Sequence, residues 1–233
     1  MNSVHLLAFG PHPDDVEIGL GGTVAKHAAL GYAVGVCDLT RGEMASNGTP
    51  EERVKEAATA ANVLGAVWRE NLGLPDRALG TSQDHGRKIV ELIRRVQPRA
   101  IAIPYWHDRH PDHQAAAALL RDAVFNAKLK RYAAAGDPWQ PDWVCYYFIN
   151  DAAAASFVVD VSDYYEVKRR ALACYVSQFS RATEYAQTRL NSPGFNQLIE
   201  SRDAQFGALA GVAFAEGIVV NEPVVREHLL KKL

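Results

Sequence analysis

The sequence predicts an α/β fold with a Rossmann-like, mostly parallel sheet, flanking helices and a C-terminal cap region. In the first half of the chain, short apolar runs rich in β-branched residues alternate with segments of helical periodicity, an order typical of βαβ units. The 233 residues contain no low-complexity spacer and no internal repeat. This length suits one sizeable core, so residues 1–233 are expected to form a single domain.

The first strand is predicted at residues 4–9, an apolar run with β-branched and aromatic members. A glycine-broken helix is predicted at 17–30, and a second strand at 33–39. Gly19, Gly21 and Gly22 do not form a dinucleotide fingerprint, because Val24 stands where the third glycine would fall. These glycines are expected to let the helix pack closely on the sheet or a ligand approach its backbone.

Capping residues and apolar spacing define the next two helices. Thr49 at the N-cap, Pro50 at the first helical position and Glu52 at the third form a capping box, which starts a helix that runs to about residue 64. A strand is expected at 67–72. Residues 84–96 carry apolar side chains at a helical spacing, with basic side chains on the other face.

The later elements are predicted from apolar runs and from serine caps. A buried strand at 100–103 precedes an alanine-rich helix from 113 to about 132. Further strands are expected at 143–149, 156–161 and 212–220, and further helices at 163–175 and 192–209. Trp139 and Trp143 suit the rim of a sugar site, although aromatic residues there are more often core or subunit contacts.

Composition narrows the class of protein and its partners. The net charge of -2 and the pI near 6.4 provide no basic surface for a nucleic acid, so small molecules are the expected partners. Cys37, Cys145 and Cys174 are odd in number and lie among apolar residues, which predicts reduced, buried thiols in a cytoplasmic protein. No signal peptide and no membrane-spanning stretch of roughly 20 apolar residues is expected.

Two groups of metal-capable side chains follow predicted strands. Residues 10–15 come after the first strand, and residues 107–113 come after the strand at 100–103. Because ligands collect at the carboxyl ends of parallel strands, His12, Asp15 and His113 are predicted to bind one ion. Two imidazoles and one carboxylate leave a coordination position for water, and the absence of a nearby cysteine argues against a structural zinc site.

Asp14 is predicted to be the catalytic base. Pro13 restricts the loop, so His12 and Asp15 can point to one side while Asp14 points elsewhere. A lone His-x-x-Asp pattern is more often a surface histidine and a helix cap, but two such groups at two strand ends favour a catalytic metal. We expect Zn²⁺ to polarise a water and a substrate carbonyl, while Asp14 moves the protons. His110, if protonated, is expected to stabilise the oxyanion.

A family resemblance is carried by Pro11-His12-Pro13-Asp14-Asp15 and His110-Pro111-Asp112-His113. These motifs resemble the N-acetylglucosaminyl deacetylase (PIG-L/LmbE-like) family, which includes the GlcNAc-phosphatidylinositol de-N-acetylases, the mycothiol deacetylase and the bacillithiol deacetylases. Further motifs resemble the N-acetylglucosaminyl-malate deacetylase branch of bacillithiol biosynthesis: Asp38-Leu39-Thr40, Ser46-Asn47-Gly48-Thr49, Leu74-Pro75-Asp76-Arg77, Asp108-Arg109-His110-Pro111-Asp112-His113, Ser177-Gln178-Phe179 and Ala215-Glu216-Gly217.

The resemblance implies a metal-dependent deacetylase of a small-molecule sugar conjugate, either N-acetylglucosaminyl-malate or another N-acetylglucosamine conjugate. It supports His12, Asp15 and His113 as metal ligands, with Asp14 and His110 as catalytic residues. It also implies a homo-oligomer, since some relatives are hexameric. No nucleic acid or membrane partner is expected.

Arg53 and Arg109 are predicted to bind an acidic aglycone, because both lie on the same predicted rim and a guanidinium holds a carboxylate through two hydrogen bonds. Arg53 has an equally weighted alternative as an exposed arginine paired with Glu56. Arg109 has an alternative as a partner of Asp108. The roles of His107 and Asp112 stay open, since Asp112 either orients a ligand histidine or caps the helix.

Two other functions are consistent with the same ligands. A non-haem iron oxygenase also uses two histidines and one carboxylate, although the free carboxylate of Asp14 favours hydrolysis. A non-enzymatic metal-binding or sugar-binding module would keep the ligands without needing a base. The ligands alone do not distinguish Zn²⁺ from Fe²⁺, cobalt or manganese.

Overall fold

The computed structural model describes residues 4–225, whose seven strands form one sheet. The strands are β1 (Leu6–Gly10), β2 (Val34–Thr40), β3 (Trp68–Leu74), β4 (Ala100–Pro104), β5 (Trp143–Tyr147), β6 (Phe157–Asp160) and β7 (Ala215–Val219). Their order is β3-β2-β1-β4-β5-β7-β6. The pairs from β3 to β5 are parallel, whereas β7 is antiparallel to both β5 and β6. The predicted mostly parallel α/β sheet is therefore confirmed.

Helices cover both faces of the sheet. They are α1 (Asp15–Ala29), α2 (Pro50–Leu64), α3 (Gln83–Val96), α4 (Pro111–Ala127), α5 (Tyr165–Ala173), α6 (Val176–Phe179) and α7 (Pro193–Ala210). Successive strand residues point to opposite faces. Leu7 and Phe9 of β1 pack with α3 and α4, whereas Leu6 and Ala8 pack with α1, α2 and α5.

Helix α1 lies unusually close to the sheet at its glycines. A Cβ atom on Gly19 would collide with the ring of Tyr147 and with the carbonyl oxygen of Phe148, and one on Gly22 would lie 2.7 Å from Val161. The expectation that these glycines permit close helix packing is confirmed.

The helix predicted to reach residue 132 ends at Ala127. The physical reason is Arg94, a buried side chain of α3. Its guanidinium donates to five main-chain carbonyls of the next segment, those of Ala127, Leu129, Tyr132, Ala134 and Gly136. These carbonyls turn towards one side chain instead of continuing the helix.

The helix predicted at 163–175 is interrupted. A 3-10 turn, Ser162–Tyr164, precedes α5, and the short helix α6 follows it without having been predicted. Tyr175 breaks the helix because its ring is buried and its hydroxyl donates to Glu17 over 3.0 Å. Local periodicity did not reveal this tertiary contact.

The sheet order creates a switch point between β1 and β4. The chain proceeds from β1 outward to β2 and β3, then returns to place β4 on the other side of β1. Ligand sites occur at such points because the loops after the two strands diverge and leave a crevice. Both groups of metal-capable side chains lie on these two loops.

Two expectations from composition are tested within residues 4–225. No helix there is long and apolar enough to cross a membrane. Cys37 and Cys145 are buried, as predicted, but Cys174 is only half-buried and its thiol donates to the Arg170 carbonyl over 3.3 Å.

Candidate active site

The structure brings together the three predicted metal ligands at the switch point. Asp15 is the first residue of α1, and His113 lies in the first turn of α4. Asp15 Oδ2 lies 3.1 Å from His12 Nδ1 and 3.3 Å from His113 Nε2. All three side chains are largely shielded from solvent. Two imidazole nitrogens and one carboxylate oxygen therefore face a common point.

This donor set fits a divalent metal ion. One ligand atom from each of the three residues lies within 4.8 Å of the others. Nitrogen and oxygen ligands sit roughly 2.0 to 2.2 Å from zinc, so two ligands of one ion lie at most about 4.4 Å apart. The separations of 3.1 and 3.3 Å meet this limit. His12, Asp15 and His113 can therefore hold a divalent ion with three protein ligands, as in a catalytic metal site.

Further carboxylates orient the two histidines. Asp108 Oδ1 lies 3.0 Å from His113 Nδ1, on the ring atom that faces away from Asp15. Asp108 in turn accepts hydrogen bonds from the main chain and side chain of Asn150. Such a carboxylate fixes the tautomer of a ligand histidine. Asp108 was not assigned a role from sequence, although its place after β4 was the available signal.

His12 is flanked in the same way. Its Nε2 atom lies 3.2 Å from Asp76 Oδ1 and 3.4 Å from Asp112 Oδ2. Asp112 also accepts from the Arg77 main-chain N–H over 2.9 Å. Of the two roles considered for Asp112, its position matches that of a histidine-orienting carboxylate. Asp76 was missed, and its signal was again a position after a strand, β3.

These contacts set the protonation of the ion-free site. Burial opposes a positive charge on His113, but Asp15 and Asp108 outweigh it and raise the pKa of His113 to about 9. The pKa of His12 is also raised, because hydrogen bonds to Asp112, Asp15 and Asp76 outweigh burial. The pKa of Asp15 is lowered, since the nearby histidines outweigh its burial. An incoming ion must therefore displace protons.

Asp14 is adjacent to the ligand set but is not part of it. It is the N-cap of α1 and has a backbone φ of 109°, in the left-handed region that non-glycine residues rarely adopt. Its carboxylate is buried and accepts a hydrogen bond from Arg53 Nη2 over 2.9 Å. Burial raises the pKa of Asp14 to about 7, against the lowering effect of Arg53.

Arg53 lies inside the site. It is 4% exposed, and its guanidinium also donates to the carbonyl oxygens of Pro13 and Gly42. The alternative of an exposed arginine paired with Glu56 is wrong, because Glu56 accepts from the main chain and hydroxyl of Ser177. Arg53 lines the cavity, but it is engaged mainly with the loop that carries Asp14.

His110 is the N-cap of α4. Its Nδ1 atom accepts from the Asp112 main-chain N–H over 3.2 Å, and its ring stacks on His113 with 4.6 Å between centroids. Burial lowers the pKa of His110, and the positive charges of His113 and His12 lower it further. The neutral ring therefore carries its proton on Nε2. This differs from the protonated ring considered from sequence.

Arg109 also lines the cavity, at an exposed position. Its main-chain N–H donates to Asp151 over 2.5 Å. The alternative pairing with Asp108 is not observed within residues 4–225, since Asp108 is bonded to His113 and Asn150. His107 is exposed and lies outside the cavity lining.

The cavity has a volume of about 420 Å³ and opens to solvent above the ligand set. Loops after β1, β2, β3, β4 and β5 form its walls together with residues 188–190 and the first turn of α7. Its arginine side chains are Arg53, Arg77, Arg109 and Arg189. Trp139 and Trp143 do not line the cavity. The Trp139 indole donates to the Pro98 carbonyl, and Trp143 lies at the amino-terminal end of β5, whereas the cavity lies beyond the carboxyl ends of the strands.

A doubly wound sheet with two histidines, one carboxylate and an adjacent free carboxylate at its switch point has the architecture of a metal-assisted hydrolase. Residues 7–124 match the family model described as "PIG-L: GlcNAc-PI de-N-acetylase", and the chain belongs to this family. Membership identifies it as a deacetylase of N-acetylglucosamine-type conjugates.

Individual relatives span most of the chain. The diacetylchitobiose deacetylase of Thermococcus kodakarensis is 30% identical over 228 residues, covering 91% of this chain and 81% of the relative. The probable N-acetyl-α-D-glucosaminyl L-malate deacetylase 2 of Bacillus subtilis is 26% identical over 191 residues, covering 75% and 83%. The crystal structure of the conserved protein TT1542 from Thermus thermophilus superimposes with a TM-score of 0.87 at 37% identity, covering 98% and 100%.

Proposed function

We propose that the protein is a zinc-dependent N-deacetylase that hydrolyses the acetamide of N-acetylglucosaminyl-L-malate, a step of bacillithiol biosynthesis. The observation that carries this proposal is Asp14, a buried carboxyl with a pKa of about 7 beside the convergent His12, Asp15 and His113. The Bacillus subtilis relative supports malate as the aglycone, and the basic cavity lining agrees with an acidic substrate.

His12, Asp15 and His113 would hold the ion. A divalent ion supplies Lewis-acid polarisation of the acetamide carbonyl and lowers the pKa of water. Zn²⁺ is the proposed ion, and Fe²⁺ is the alternative because imidazole and carboxylate suit both.

Asp14 moves the protons of the reaction. It accepts a proton from the attacking water while the new C–O bond forms, and it delivers that proton to the amine nitrogen as the C–N bond breaks. The products are acetate and the free amino sugar. Without a bound ion, burial raises the pKa of Asp14 to about 7, so both protonation states are accessible near neutral pH. The bond from Arg53 goes to Oδ2, which leaves Oδ1 for the water.

His110 stabilises the negative charge that develops on the acetamide oxygen. Because its Nδ1 atom accepts from the main chain, the N–H of the neutral ring at Nε2 is the donor. A donor aimed at an oxyanion typically lowers the activation barrier by about 3 to 4 kcal/mol. Arg53 and Arg109 are proposed to assist substrate binding, Arg53 chiefly by holding the Asp14 loop.

Acetate release tests this function. We expect the metal-loaded protein to release acetate from N-acetylglucosaminyl-malate faster than from methyl N-acetylglucosaminide, and to lose activity on chelation until Zn²⁺ or Fe²⁺ is restored. Activity that survives complete chelation would exclude the metal-dependent mechanism. Tight metal binding without turnover of either conjugate would favour a binding module.

The assignments of location and assembly are also proposals. We expect a cytoplasmic protein that acts on a small-molecule sugar conjugate and assembles as a homo-oligomer, with a hexamer as one candidate. Light scattering of the purified protein measures the assembly directly.

A further inference from the structure

Arg189 lies on the wall of the cavity and has no role in the chemistry described above. It belongs to the segment 180–192 that joins α6 to α7, and Thr188, Arg189 and Leu190 face the cavity. Its position is exposed. Within residues 4–225 its guanidinium has neither a carboxylate partner nor a hydrogen bond. An arginine in this state is commonly a solvated surface residue, but its surroundings distinguish Arg189 from one.

Buried amides hold the main chain next to Arg189. Asn47 binds Ala186 through two hydrogen bonds of 2.8 Å, one to the carbonyl and one from the N–H. Asn191 donates to the same carbonyl over 3.0 Å and accepts from the Thr188 N–H over 2.8 Å. Asn47 and Asn191 are only 7% and 8% exposed. The segment is therefore fixed on both sides of Arg189.

An aromatic ring positions the guanidinium itself. The Cζ atom of Arg189 lies 5.7 Å from the ring centroid of Phe195, within the range of a cation–π contact. Phe195 is buried in the first turn of α7 and also lines the cavity. A guanidinium held against a ring keeps its N–H groups available for a planar anion.

The charge balance of the cavity points to an anionic ligand. Arg53 is compensated by Asp14, and Arg77 by Asp112. Asp15 and Asp76 are matched by the ligand histidines. Arg109 and Arg189 are the cavity arginines without a carboxylate partner in the part of the chain that the structure describes. The cavity entrance therefore carries uncompensated positive charge.

We propose that Arg189 and Arg109 each bind one carboxylate of an acidic aglycone, and that Arg189 is a specificity-determining residue. This inference rests on the proposed function. Arg189 thereby takes the aglycone-binding role that the sequence predicted for Arg53. The Arg53 guanidinium is already engaged by Asp14, Pro13 and Gly42. A dicarboxylate such as malate presents one carboxylate to each of Arg109 and Arg189.

Substrate selectivity tests this inference. In Arg189→Ala we expect kcat/KM for N-acetylglucosaminyl-malate to fall by about 10-fold to 150-fold, the usual effect of losing a charge-assisted hydrogen bond. The loss should appear mainly in KM and should exceed the loss on methyl N-acetylglucosaminide by at least about 10-fold. Arg189→Lys keeps the charge without the planar fork, so it should recover part of the selectivity.

Arg181→Ala is the matched control, because Arg181 is exposed on the same segment but lies outside this cavity. Its kinetics on both conjugates should equal those of the wild type. Equal losses on both conjugates in Arg189→Ala, or unchanged selectivity, would overturn the inference alone. Absence of turnover by the wild type on both conjugates would instead overturn the proposed function, and that failure is visible without any variant.

Discussion

Asp14 combines an unfavourable backbone with a central chemical position. The positive φ of a non-glycine residue typically costs about 1 to 3 kcal/mol and persists only where surrounding contacts impose it. Here the Asp15 N–H donates to the His12 carbonyl, and the Ile18 N–H donates to the Asp14 carbonyl. These bonds close the turn and keep the two carboxylates apart, so Asp15 can bind a metal while Asp14 stays outside the ligand set.

The first prediction concerns Asp14→Asn. The amide keeps the size of the side chain but cannot accept the proton of water, so kcat should fall by about 100-fold to 10,000-fold. Bound metal should remain stoichiometric, because residue 14 contributes no atom to the ligand set. Steady-state kinetics and metal analysis of the same sample check both parts.

Asp15→Asn provides the contrast, since it should lose tight metal binding together with activity. Near-normal turnover by Asp14→Asn would show that another group is the base.

The second prediction concerns proton release. In the ion-free protein the pKa of His113 is about 9 and that of His12 is raised, so both rings are largely protonated at pH 7. Metal ligation requires neutral imidazoles. Metal affinity should therefore rise by about 10-fold to 100-fold per pH unit between pH 7 and 8. Calorimetry in two buffers of different ionisation enthalpy counts the protons, and heats that do not depend on the buffer would contradict the prediction.

The same shift affects the stability of the ion-free protein. The pKa of His113 is raised above its ordinary value of 6.5, so its stabilising contribution is fully present below that pH and is lost as the pH rises through about 9. The ion-free protein should consequently have a lower Tm at pH 9 than at pH 7, and bound metal should reduce this dependence.

At the residue level, sequence reasoning identified side chains by their place after parallel strands. His12, Asp15 and His113 could be grouped in this way, and the structure brings them together. The burial of Arg53 could not be predicted, because the first turn of a helix does not reveal which neighbouring loop covers it. Asp76 and Asp108 share the same strand-end position, but the loop sequence alone does not show which carboxylates turn inward.

At the level of elements, the approach of α1 to the sheet depends on a missing side chain. The third prediction is that Gly19→Ala strongly destabilises the protein, by more than about 2 kcal/mol. A methyl group would overlap the Tyr147 ring and the Phe148 carbonyl, and overpacking of a core typically costs about 1 to 3 kcal/mol even without main-chain overlap. Urea denaturation measures the change.

Gly86→Ala is the matched control in helix α3. A Cβ atom there would meet only ordinary contacts, 3.6 Å from the Tyr132 hydroxyl and 3.8 Å from Leu119. Since alanine favours a helix over glycine, this change should stabilise the protein by about 0.5 to 1 kcal/mol. If both variants lost stability equally, close helix packing would not be the reason for Gly19.

Tertiary contacts determine where two of the helices end. Helix α2 was well defined because its capping box is local, and the structure contains it. The end of α4 depends on Arg94 and the end of α5 on Tyr175, and both act through contacts with distant parts of the chain. Local periodicity carries no signal for such contacts.

At the level of the whole molecule, a buried group of charges joins the C-terminal region to α1. Lys168 of α5 donates to Asp203 of α7 over 2.6 Å and to Glu216 of β7 over 2.7 Å. Glu216 also accepts from the N–H groups of Gly22 and Thr23 in α1. The C-terminal elements are thus bonded directly to the helix that begins at the active site.

The fourth prediction is that Lys168→Met costs about 3 to 5 kcal/mol of unfolding free energy. Removal of the ammonium leaves Glu216 buried without a counter-charge and leaves Asp203 paired with Arg202 alone, and stranding a buried charge in this way is strongly destabilising. Adding Glu216→Gln should recover part of the loss. Denaturant unfolding of the single and double variants measures both effects.

Arg99→Met serves as the control, since the Arg99–Asp142 pair is 71% exposed on both sides. An exposed pair contributes little, so the stability should hardly change. If Lys168→Met and Arg99→Met lost comparable free energy of unfolding, burial would not explain the effect of the Lys168 substitution.

The parallel part of the sheet could be predicted because a helix follows each of these strands and brings the chain back, so that the next strand runs in the same direction. The insertion of β7 between β5 and β6 could not, since antiparallel pairing of distant segments leaves no periodic trace in the sequence. The second half of the chain also extends the same sheet through β5, β7 and β6, with α7 packed on β7.

The place of β4 beside β1 also sets the order of events during synthesis. The ligand set is divided between residues 12–15 and His113, so a chain emerging from the ribosome has only two of its three ligands until β4 and the start of α4 have been made. At typical elongation rates of about 5 to 20 residues per second, this interval of about 100 residues lasts roughly 5 to 20 s. Coordination of one ion by His12, Asp15 and His113 together therefore requires a chain that has been synthesised through the start of α4.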